Sequence, residues 1–342
     1  MSFPLEAWVG YTCSDRNPAE SKGMEDTLMV NKVAAPTRTV DEIMSWYEGQ
    51  NPGVLTNLYR VLMHGRLGGT GKLVILPVDQ GFEHGPTRSF APNPPAYDPL
   101  YHFRLAVETG CSAYAAPLGF LEAGAAQFAG KVPLILKLNS HDILQDEVDP
   151  LGGQTASVKD ALRLGCVGIG YTIYPGTKDR RLQYEQFRAI AEEAKENGLL
   201  VVLWSYPRGG SMKSEDETAL DVVAYAAHLA AQLGAHIIKV KLPSAHIWDK
   251  KSAEAIQKYN IPIETLADRV RYIVQAAFNG KRIVINSGGP AKDDAAVFDE
   301  IRAIRDGGGF GSIIGRNSFQ RPWDEAVKFL DTIMGIYEGS IP

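Results

Sequence analysis

The chain has 342 residues, of which 45% are hydrophobic and 22% are charged, a composition typical of a globular protein with a large buried core. The formal net charge of −5 leaves no overall basic field that would attract nucleic acid, so any affinity for anions must be local. No stretch approaches the roughly 20 apolar residues needed to cross a bilayer, so we expect neither nucleic acid nor a membrane as a partner.

The amino-terminal part, residues 1–71, lacks the repeating pattern of the rest of the chain. It begins with MSFPLEAWVG, which has no basic region followed by an apolar core, and continues as a polar, irregular arm. Thr39–Tyr47 and Pro52–His64 are predicted to be helices. We expect this extension to pack on the catalytic domain, residues 72–342, or on a neighbouring subunit.

The three cysteines, Cys13, Cys111 and Cys166, are scattered along the chain and show no metal-like or redox-like pairing. Free cysteines are often small buried hydrophobic residues, and unpaired thiols fit a reducing compartment. Together with the start of the chain, this pattern predicts a cytoplasmic protein.

From Lys72 onward, short apolar β-rich runs alternate with longer amphipathic segments, which is typical of βα units around a parallel sheet. In helix-like stretches such as Leu182–Glu196 and Thr218–Leu233, apolar residues recur every three or four positions. The predicted strands are Leu73–Asp79, Ser112–Leu118, Pro133–Asn139, Cys166–Tyr171, Leu199–Ser205, His236–Leu242, Arg282–Asn286 and Gly311–Gly315. Eight repeats predict an α/β fold of the TIM (β/α)8 barrel type, because the alternative, an open doubly wound sheet, would leave two edges and typically has fewer strands.

In TIM barrels the reactive groups project from the carboxyl ends of the strands, and polar residues are plentiful at those positions here. The candidates are Asp79 at the end of strand 1 and His84 after it, Lys137 in strand 3, Trp204 and Tyr206 at the end of strand 5, Lys239 and Lys241 in strand 6, Ser287, Gly288 and Gly289 after strand 7, and Gly315 and Arg316 at the end of strand 8. We expect these residues to surround one active site.

Strand 6, HIIKVKL, carries two lysines. Period-two alternation puts Lys239 and Lys241 on one face of the strand. A buried lysine beside a second cation has a lowered pKa, because desolvation and like-charge repulsion both favour the neutral amine. A neutral amine can attack a ketone, and the resulting iminium permits cleavage of the adjacent carbon–carbon bond through an enamine. The alternative is that the lysines pair with acids or grip a phosphate without covalent chemistry.

Glycine-rich turns follow strands 7 and 8, in NSGGP and IIGRNSFQRP. In TIM barrels, turns at these positions lead to helix N-termini and form a recurring phosphate site. The glycines allow close approach of the backbone, and Arg316 can fork onto phosphate oxygens. Plain loop glycines and a surface arginine are the alternative.

Three further side chains are candidates for proton transfer. In LPVDQGFEHGP, Asp79 could accept hydrogen bonds from sugar hydroxyls or manage protons, and His84 could titrate near neutral pH. Tyr206, in WSYPRGG, is a candidate proton donor or acceptor at the reacting carbon. The alternatives are a capping aspartate, a loop histidine and a buried tyrosine that only satisfies its hydroxyl. None of the seven histidines lies in HxxxH or HExxH spacing, so metal catalysis is not expected. We also expect no cofactor.

Five motifs, LPVDQGFEHGP, WSYPRGG, HIIKVKLP, INSGGP and IIGRNSFQRP, occur in an order that resembles the class I fructose-bisphosphate aldolases of the archaeal and bacterial type, also called DhnA or FbaB-like aldolases. The resemblance covers roughly residues 60 to 340. It implies reversible cleavage of fructose 1,6-bisphosphate to dihydroxyacetone phosphate and glyceraldehyde 3-phosphate. A phosphosugar would therefore be the small-molecule partner.

The resemblance also implies roles for individual residues. Lys239 would form the Schiff base, Tyr206 would transfer protons, and Trp204 would line the pocket. Asp79 would bind substrate or handle protons, and the turns after strands 7 and 8 would hold the donor phosphate. Archaeal relatives form large homo-oligomers, so a homo-oligomer is expected, although the long extension departs from the compact archaeal members.

Two other functions stay open at this point. One is a related Schiff-base aldolase that acts on another phosphorylated ketose. The other is a non-catalytic phosphosugar-binding or assembly protein, against which the presence of Lys239, Tyr206 and Asp79 argues.

Overall fold

A computed structural model describes residues 38–144, 149–288 and 293–342. The predicted polar arm, Cys13 and Gly289 lie outside these described residues. Eight parallel strands form a closed barrel in which each strand pairs with the next and the last pairs with the first. The strands are β1 (Leu73–Pro77), β2 (Ala113–Pro117), β3 (Leu134–Lys137), β4 (Gly168–Ile173), β5 (Leu200–Ser205), β6 (Ile237–Val240), β7 (Ile283–Ser287) and β8 (Gly311–Ile313). The predicted TIM barrel is confirmed.

Helices surround the barrel and connect its strands. Their bounds are α1 (Arg38–Ser45), α2 (Pro52–Met63), α3 (Gln80–Glu83), α4 (Pro86–Phe90), α5 (Pro99–Glu108), α6 (Leu118–Gly124), α7 (Val158–Arg163), α8 (Arg180–Glu196), α9 (Leu220–Gln232), α10 (Lys250–Lys258), α11 (Leu266–Ala276), α12 (Asp294–Asp306), α13 (Arg316–Phe319) and α14 (Trp323–Glu338). Short 3₁₀ turns span Pro94–Tyr97 and Asp216–Thr218. No helix within the described ranges is long and apolar enough to cross a membrane.

The strands are buried on both faces, which explains why they read as apolar runs rather than as alternating patterns. One core cluster lies between the strands and the outer helices. The second lies inside the barrel, where residues such as Leu73, Ile237 and Ile283 meet Val54 and Leu58 of α2. The described part of the predicted extension therefore packs on the barrel.

Helices α1 and α2 close the amino-terminal end of the barrel. The Tyr47 hydroxyl donates a hydrogen bond to the His236 carbonyl at 2.6 Å and accepts one from the Ile283 backbone N–H at 3.1 Å. Asn51 caps α2 by accepting from the Val54 backbone N–H at 2.9 Å. The two Tyr47 bonds satisfy backbone groups at the start of β6 and β7, so the described residues around α1 and α2 cover this end of the barrel.

Strand 3 is shorter than predicted. It ends at Lys137, and Asn139 belongs to a two-residue antiparallel pairing of Asn139–Ser140 with Gly153–Gln154. The Asn139 side chain donates to the Thr172 carbonyl at 2.8 Å and accepts from the Thr172 backbone N–H at 2.7 Å. Both of its hydrogen bonds serve the backbone, so Asn139 supports the end of β4.

Candidate active site

A cavity of about 670 Å³ opens at the carboxyl end of the barrel. Nearly all of the predicted site residues line it. They are Asp79, His84, Trp204, Tyr206, Lys239, Lys241, Ser287, Gly288, Gly315 and Arg316. The βα turns bring these side chains together although they lie on five different strands and turns.

Lys239 projects from β6 into this cavity and is 5% exposed. Its Nζ lies 5.1 Å from the centre of the Trp204 ring and 5.5 Å from that of Tyr206. Burial lowers the pKa of this amine to about 8, against the opposing effect of Asp79 and with a further lowering by Arg316. The sequence predicted the lowered pKa correctly but attributed the like-charge repulsion to Lys241.

Lys241 is held elsewhere. Its Nζ lies 2.9 Å from Glu217 Oε2, which also binds Arg208 Nη1 at 2.7 Å. Burial lowers the pKa of Lys241, and the neighbouring Arg208 adds to this effect. The three side chains form a second charged wall of the cavity, and the Glu217 carboxylate keeps the Lys241 charge away from Lys239.

Two carboxyl groups and a buried lysine form the wall next to Lys239. Lys137, 1% exposed, lies 3.1 Å from Glu83 and 3.9 Å from Asp79, and it donates to the Asn139 carbonyl at 2.6 Å. Burial raises the pKa of the Glu83 carboxyl and the Asp79 charge raises it further, while Lys137 opposes both effects. Lys137 therefore lies behind Glu83, and its predicted direct binding of substrate stays a prediction.

The floor of the cavity is the Trp204 ring. A side chain at Gly170 would begin 2.7 Å from Trp204 Cζ3, so only glycine leaves room for this ring at the barrel axis. The Lys137 and Lys239 amines lie 5.7 and 5.1 Å from the ring centre, within reach of a cation–π interaction. Trp204 Nε1 has no hydrogen-bond partner among the described residues.

Tyr206 lies between Lys239 and the turn after β7. Burial raises the pKa of its phenol, and the negative charges of Asp79 and Glu83 add to this effect. A hydrogen bond joins its hydroxyl to that of Ser287. The phenol is therefore protonated at neutral pH and has a defined orientation.

The turns after β7 and β8 form the opposite side of the cavity. Ser287 ends β7 and Gly288 follows it, and Gly315 precedes Arg316, the first residue of α13. The Asn317 side chain donates to the Gly288 carbonyl at 3.0 Å and ties the two turns together. Gly289 lies outside the described residues, so its predicted role stays a prediction.

His84 lies on the wall of the cavity, and its predicted role in substrate binding stays a prediction. Partial burial lowers its pKa, and Arg316 lowers it further. Its imidazole can serve as a hydrogen-bonding group of the cavity wall.

Several lining residues were not singled out from the sequence. Glu83 and Arg208 lie inside the motifs QGFEHGP and WSYPRGG, so their charge beside recognised site residues was an available signal. Glu217, His141 and Tyr174 lie on segments without any such motif. Only the three-dimensional arrangement places them at the cavity.

Comparison with known proteins identifies the family. The DeoC/LacD family aldolase profile matches residues 73–321. A probable class 1 fructose-bisphosphate aldolase of Chlamydia trachomatis is 40% identical over 304 residues, which are 84% of this chain and 85% of the relative. The class 1 fructose-bisphosphate aldolase of Thermoproteus tenax is 35% identical over 273 residues, which are 79% of this chain and 90% of the relative.

Solved structures agree with this grouping. A crystal structure of an archaeal fructose 1,6-bisphosphate aldolase is 32% identical, with a TM-score of 0.67 over 83% of this chain and 99% of that one. An archaeal fructose-1,6-bisphosphate aldolase with its catalytic lysine covalently bound to the carbinolamine intermediate is 31% identical, with a TM-score of 0.67 over 82% and 98%. This chain belongs to the DeoC/LacD family of aldolases and, within it, to the class 1 fructose-bisphosphate aldolases.

Proposed function

We propose that this chain catalyses the reversible cleavage of fructose 1,6-bisphosphate to dihydroxyacetone phosphate and glyceraldehyde 3-phosphate, with Lys239 as the nucleophile. The observation that carries the proposal is the buried Lys239 amine, whose pKa is lowered to about 8 and which faces a cavity with basic groups on two walls. The relatives named above carry the same activity in their names.

The lowered pKa supplies the reactive amine. At pH 7 about one-tenth of an amine with a pKa near 8 is neutral, against roughly one part in 3,000 for an ordinary lysine. The neutral Lys239 nitrogen adds to the ketone carbon C2 and gives a carbinolamine, and loss of water gives the iminium. The iminium then accepts the electron pair of the C3–C4 bond as the C4 hydroxyl loses its proton, which releases the aldehyde and leaves an enamine.

The neighbouring side chains move the protons of these steps. Asp79 and Glu83 lie on the wall beside Lys239 and can accept the proton of the C4 hydroxyl. Tyr206, whose raised pKa keeps its phenol protonated, can supply the proton that turns the enamine back into an iminium at C3. Water then hydrolyses the iminium, which releases dihydroxyacetone phosphate and restores the amine.

A bisphosphate needs a basic group at each end. We assign the donor phosphate to Arg316 and the backbone of the turns at Gly288 and Gly315. We assign the second phosphate to Arg208 and Lys241. Both bind the Glu217 carboxylate, and the three groups together keep a net positive charge. A substrate with a single phosphate would leave the basic groups on one of these two walls without a phosphate to bind.

Borohydride reduction tests the covalent step. Treatment in the presence of dihydroxyacetone phosphate should add the mass of the reduced adduct to the peptide that contains Lys239, and to no other peptide. An unmodified Lys239 peptide would refute the mechanism. Steady-state assays with fructose 1,6-bisphosphate and fructose 1-phosphate then test the substrate, and equal kcat/KM values would favour another phosphorylated ketose.

We also propose a cytoplasmic homo-oligomer. Cys111 and Cys166 are buried and unpaired, which supports a reducing compartment. Tyr225 and Trp248 are 62% and 46% exposed and line one groove of about 610 Å³, which supports a contact with a second copy of the chain. Light scattering coupled to size-exclusion chromatography tests this, and the mass of a single chain at micromolar concentration would contradict it.

A further inference from the structure

Three basic side chains converge at the amino-terminal end of the barrel, opposite the catalytic cavity. Arg188 and Lys195 lie on α8, and Arg282 directly precedes β7. A side chain at Gly234 would begin 2.7 Å from Lys195 Nζ and 3.8 Å from Arg188 Nη1, so the two cationic groups are neighbours. Arg282 acts on the same amine, because its charge lowers the pKa of Lys195.

No carboxylate in the described part of the chain pairs with any of these three cations. Other arginines, such as Arg163 and Arg321, each bind an acidic side chain. A shortage of acids is not the cause, since the chain has 40 acidic and 35 basic residues. Burial lowers the pKa of Lys195 to about 8, and the charges of Arg188 and Arg282 add to this effect. The three cations therefore make no ion pair within the described residues.

Arg282 is held in place before any ligand arrives. Its guanidinium lies 5.1 Å from the ring centres of both Tyr47 and Phe278. Its Nη1 donates to the Lys281 carbonyl at 2.7 Å. A guanidinium fixed in this way loses little side-chain entropy when it binds an oxyanion.

The buried His236 beside the cluster adds no charge to it. Its Nδ1 accepts a hydrogen bond from the Val201 backbone N–H at 3.0 Å, and its Nε2 lies 3.0 Å from Gln50 Oε1. Burial lowers the pKa of His236 to about 3, and Lys195 and Arg282 lower it further. Two permanent cations, Arg188 and Arg282, and the neutral His236 ring thus lie near Lys195.

We propose that Arg188, Lys195 and Arg282 form a binding site for a small polyanion with two adjacent phosphoryl groups. Guanidinium groups bind phosphoryl oxygens in a bidentate manner, and the lysine amine contributes a third positive charge between them. Two phosphoryl groups carry enough charge to compensate the three cations. The site is separate from the cavity that holds the substrate, and it goes beyond the proposed aldolase function.

Calorimetric titration with pyrophosphate tests the site. The Arg188→Gln/Lys195→Gln variant should bind one pyrophosphate fewer per chain than the wild type, or bind it at least about tenfold more weakly. The matched control is Arg181→Gln/Lys251→Gln, which removes the same charge from exposed positions elsewhere. Equal binding by the two variants would refute the site. Orthophosphate should bind more weakly than pyrophosphate, and equal affinity would refute the requirement for two phosphoryl groups.

A second variant keeps the test decisive if the double variant folds poorly. An anion beside Lys195 raises the pKa of its amine, so binding at pH 8 should take up protons, measured by titration in buffers of different ionisation enthalpy. Lys195→Arg keeps the charge but does not titrate in this range. It should therefore bind pyrophosphate with less proton uptake than the wild type, because only the share of Lys195 is lost, and undiminished uptake would refute the assignment.

Discussion

Buried polar side chains at the two ends of the barrel differ in their hydrogen bonding, as two residues near β6 illustrate. His236, before the strand, has both ring nitrogens hydrogen-bonded within the protein. Lys239, further along the strand, is also buried but makes no hydrogen bond or ion pair within the described ranges. Burial lowers the pKa of both, to about 3 and about 8.

This contrast distinguishes polar groups that stabilise the fold from polar groups that are available for catalysis. At the amino-terminal end, Tyr47 and Gln50, which lie between α1 and α2, form hydrogen bonds with His236 and Ile283, so these buried groups stabilise the fold. At the carboxyl end, the Lys239 amine and Trp204 Nε1 have no protein hydrogen bond in the described part of the chain. Substitutions of Lys239 or Tyr206 should therefore change turnover, and substitution of Tyr47 should change stability.

Replacing the nucleophile should give the largest effect. We expect Lys239→Met to lower kcat by at least about 1,000-fold, because no iminium can form, while the fold survives a substitution of similar length. Steady-state assays and thermal unfolding measure both quantities. The matched control, Lys241→Met, should still form the borohydride-trapped adduct. Full activity of Lys239→Met would move the nucleophile elsewhere.

Removing the phenol hydroxyl should give the next largest loss. Tyr206→Phe should lower kcat by about 100- to 1,000-fold, which is typical for the loss of a proton-transfer group. The KM should change little, and the trapped adduct should still form, because Lys239 is intact. A variant with wild-type kcat would remove Tyr206 from proton transfer.

The phosphate contact should affect binding more than turnover. Arg316→Ala should weaken binding of dihydroxyacetone phosphate by about 1.5 to 3 kcal/mol, the range for a charge-assisted hydrogen bond. Calorimetry on the variant measures this change. An unchanged dissociation constant would exclude Arg316 from the donor phosphate site.

A substitution at the amino-terminal end of the barrel should lower stability and leave turnover unchanged. Tyr47→Phe leaves the His236 carbonyl and the Ile283 backbone N–H without their partner, which should cost about 2 kcal/mol of unfolding free energy. Denaturant unfolding measures this loss, and kcat should equal that of the wild type. A lowered kcat with unchanged stability would contradict the division between the two ends.

Chelation should have the smallest effect. We expect EDTA to leave kcat unchanged, because the iminium supplies the electron withdrawal that a metal provides in metal-dependent aldolases. Turnover is compared before and after dialysis against the chelator. A strong loss that added zinc reverses would instead favour the metal-dependent class.

The fold could be predicted from the sequence because a parallel barrel produces a clear local pattern in the sequence. Its strands are buried on both faces, so each one reads as a short apolar run between amphipathic helices. Strand 3 was predicted too long because Asn139 continues the extended backbone, although it pairs with Gly153–Gln154 instead of the barrel. A local pattern does not distinguish these two partners.

Site residues could be predicted from the sequence where their place depends only on their position along a strand. The place of Lys239 at the end of β6 follows from alternation and from the barrel geometry. The role of Glu83 does not follow, because its contact with Lys137 joins residues 54 positions apart in the chain. The charge of Lys241 was misjudged for the same reason, since Glu217 reaches it from a different turn.

The closure of the barrel by α1 and α2 has a consequence for the order of events during turnover. With one end sealed, substrate and both products use the same opening. In the proposed mechanism, half of the sugar is still bound to Lys239 after the carbon–carbon bond breaks, so the free aldehyde must leave first. In the direction of synthesis, dihydroxyacetone phosphate must accordingly bind before the aldehyde. Binding and release at the single described opening therefore follow a fixed order.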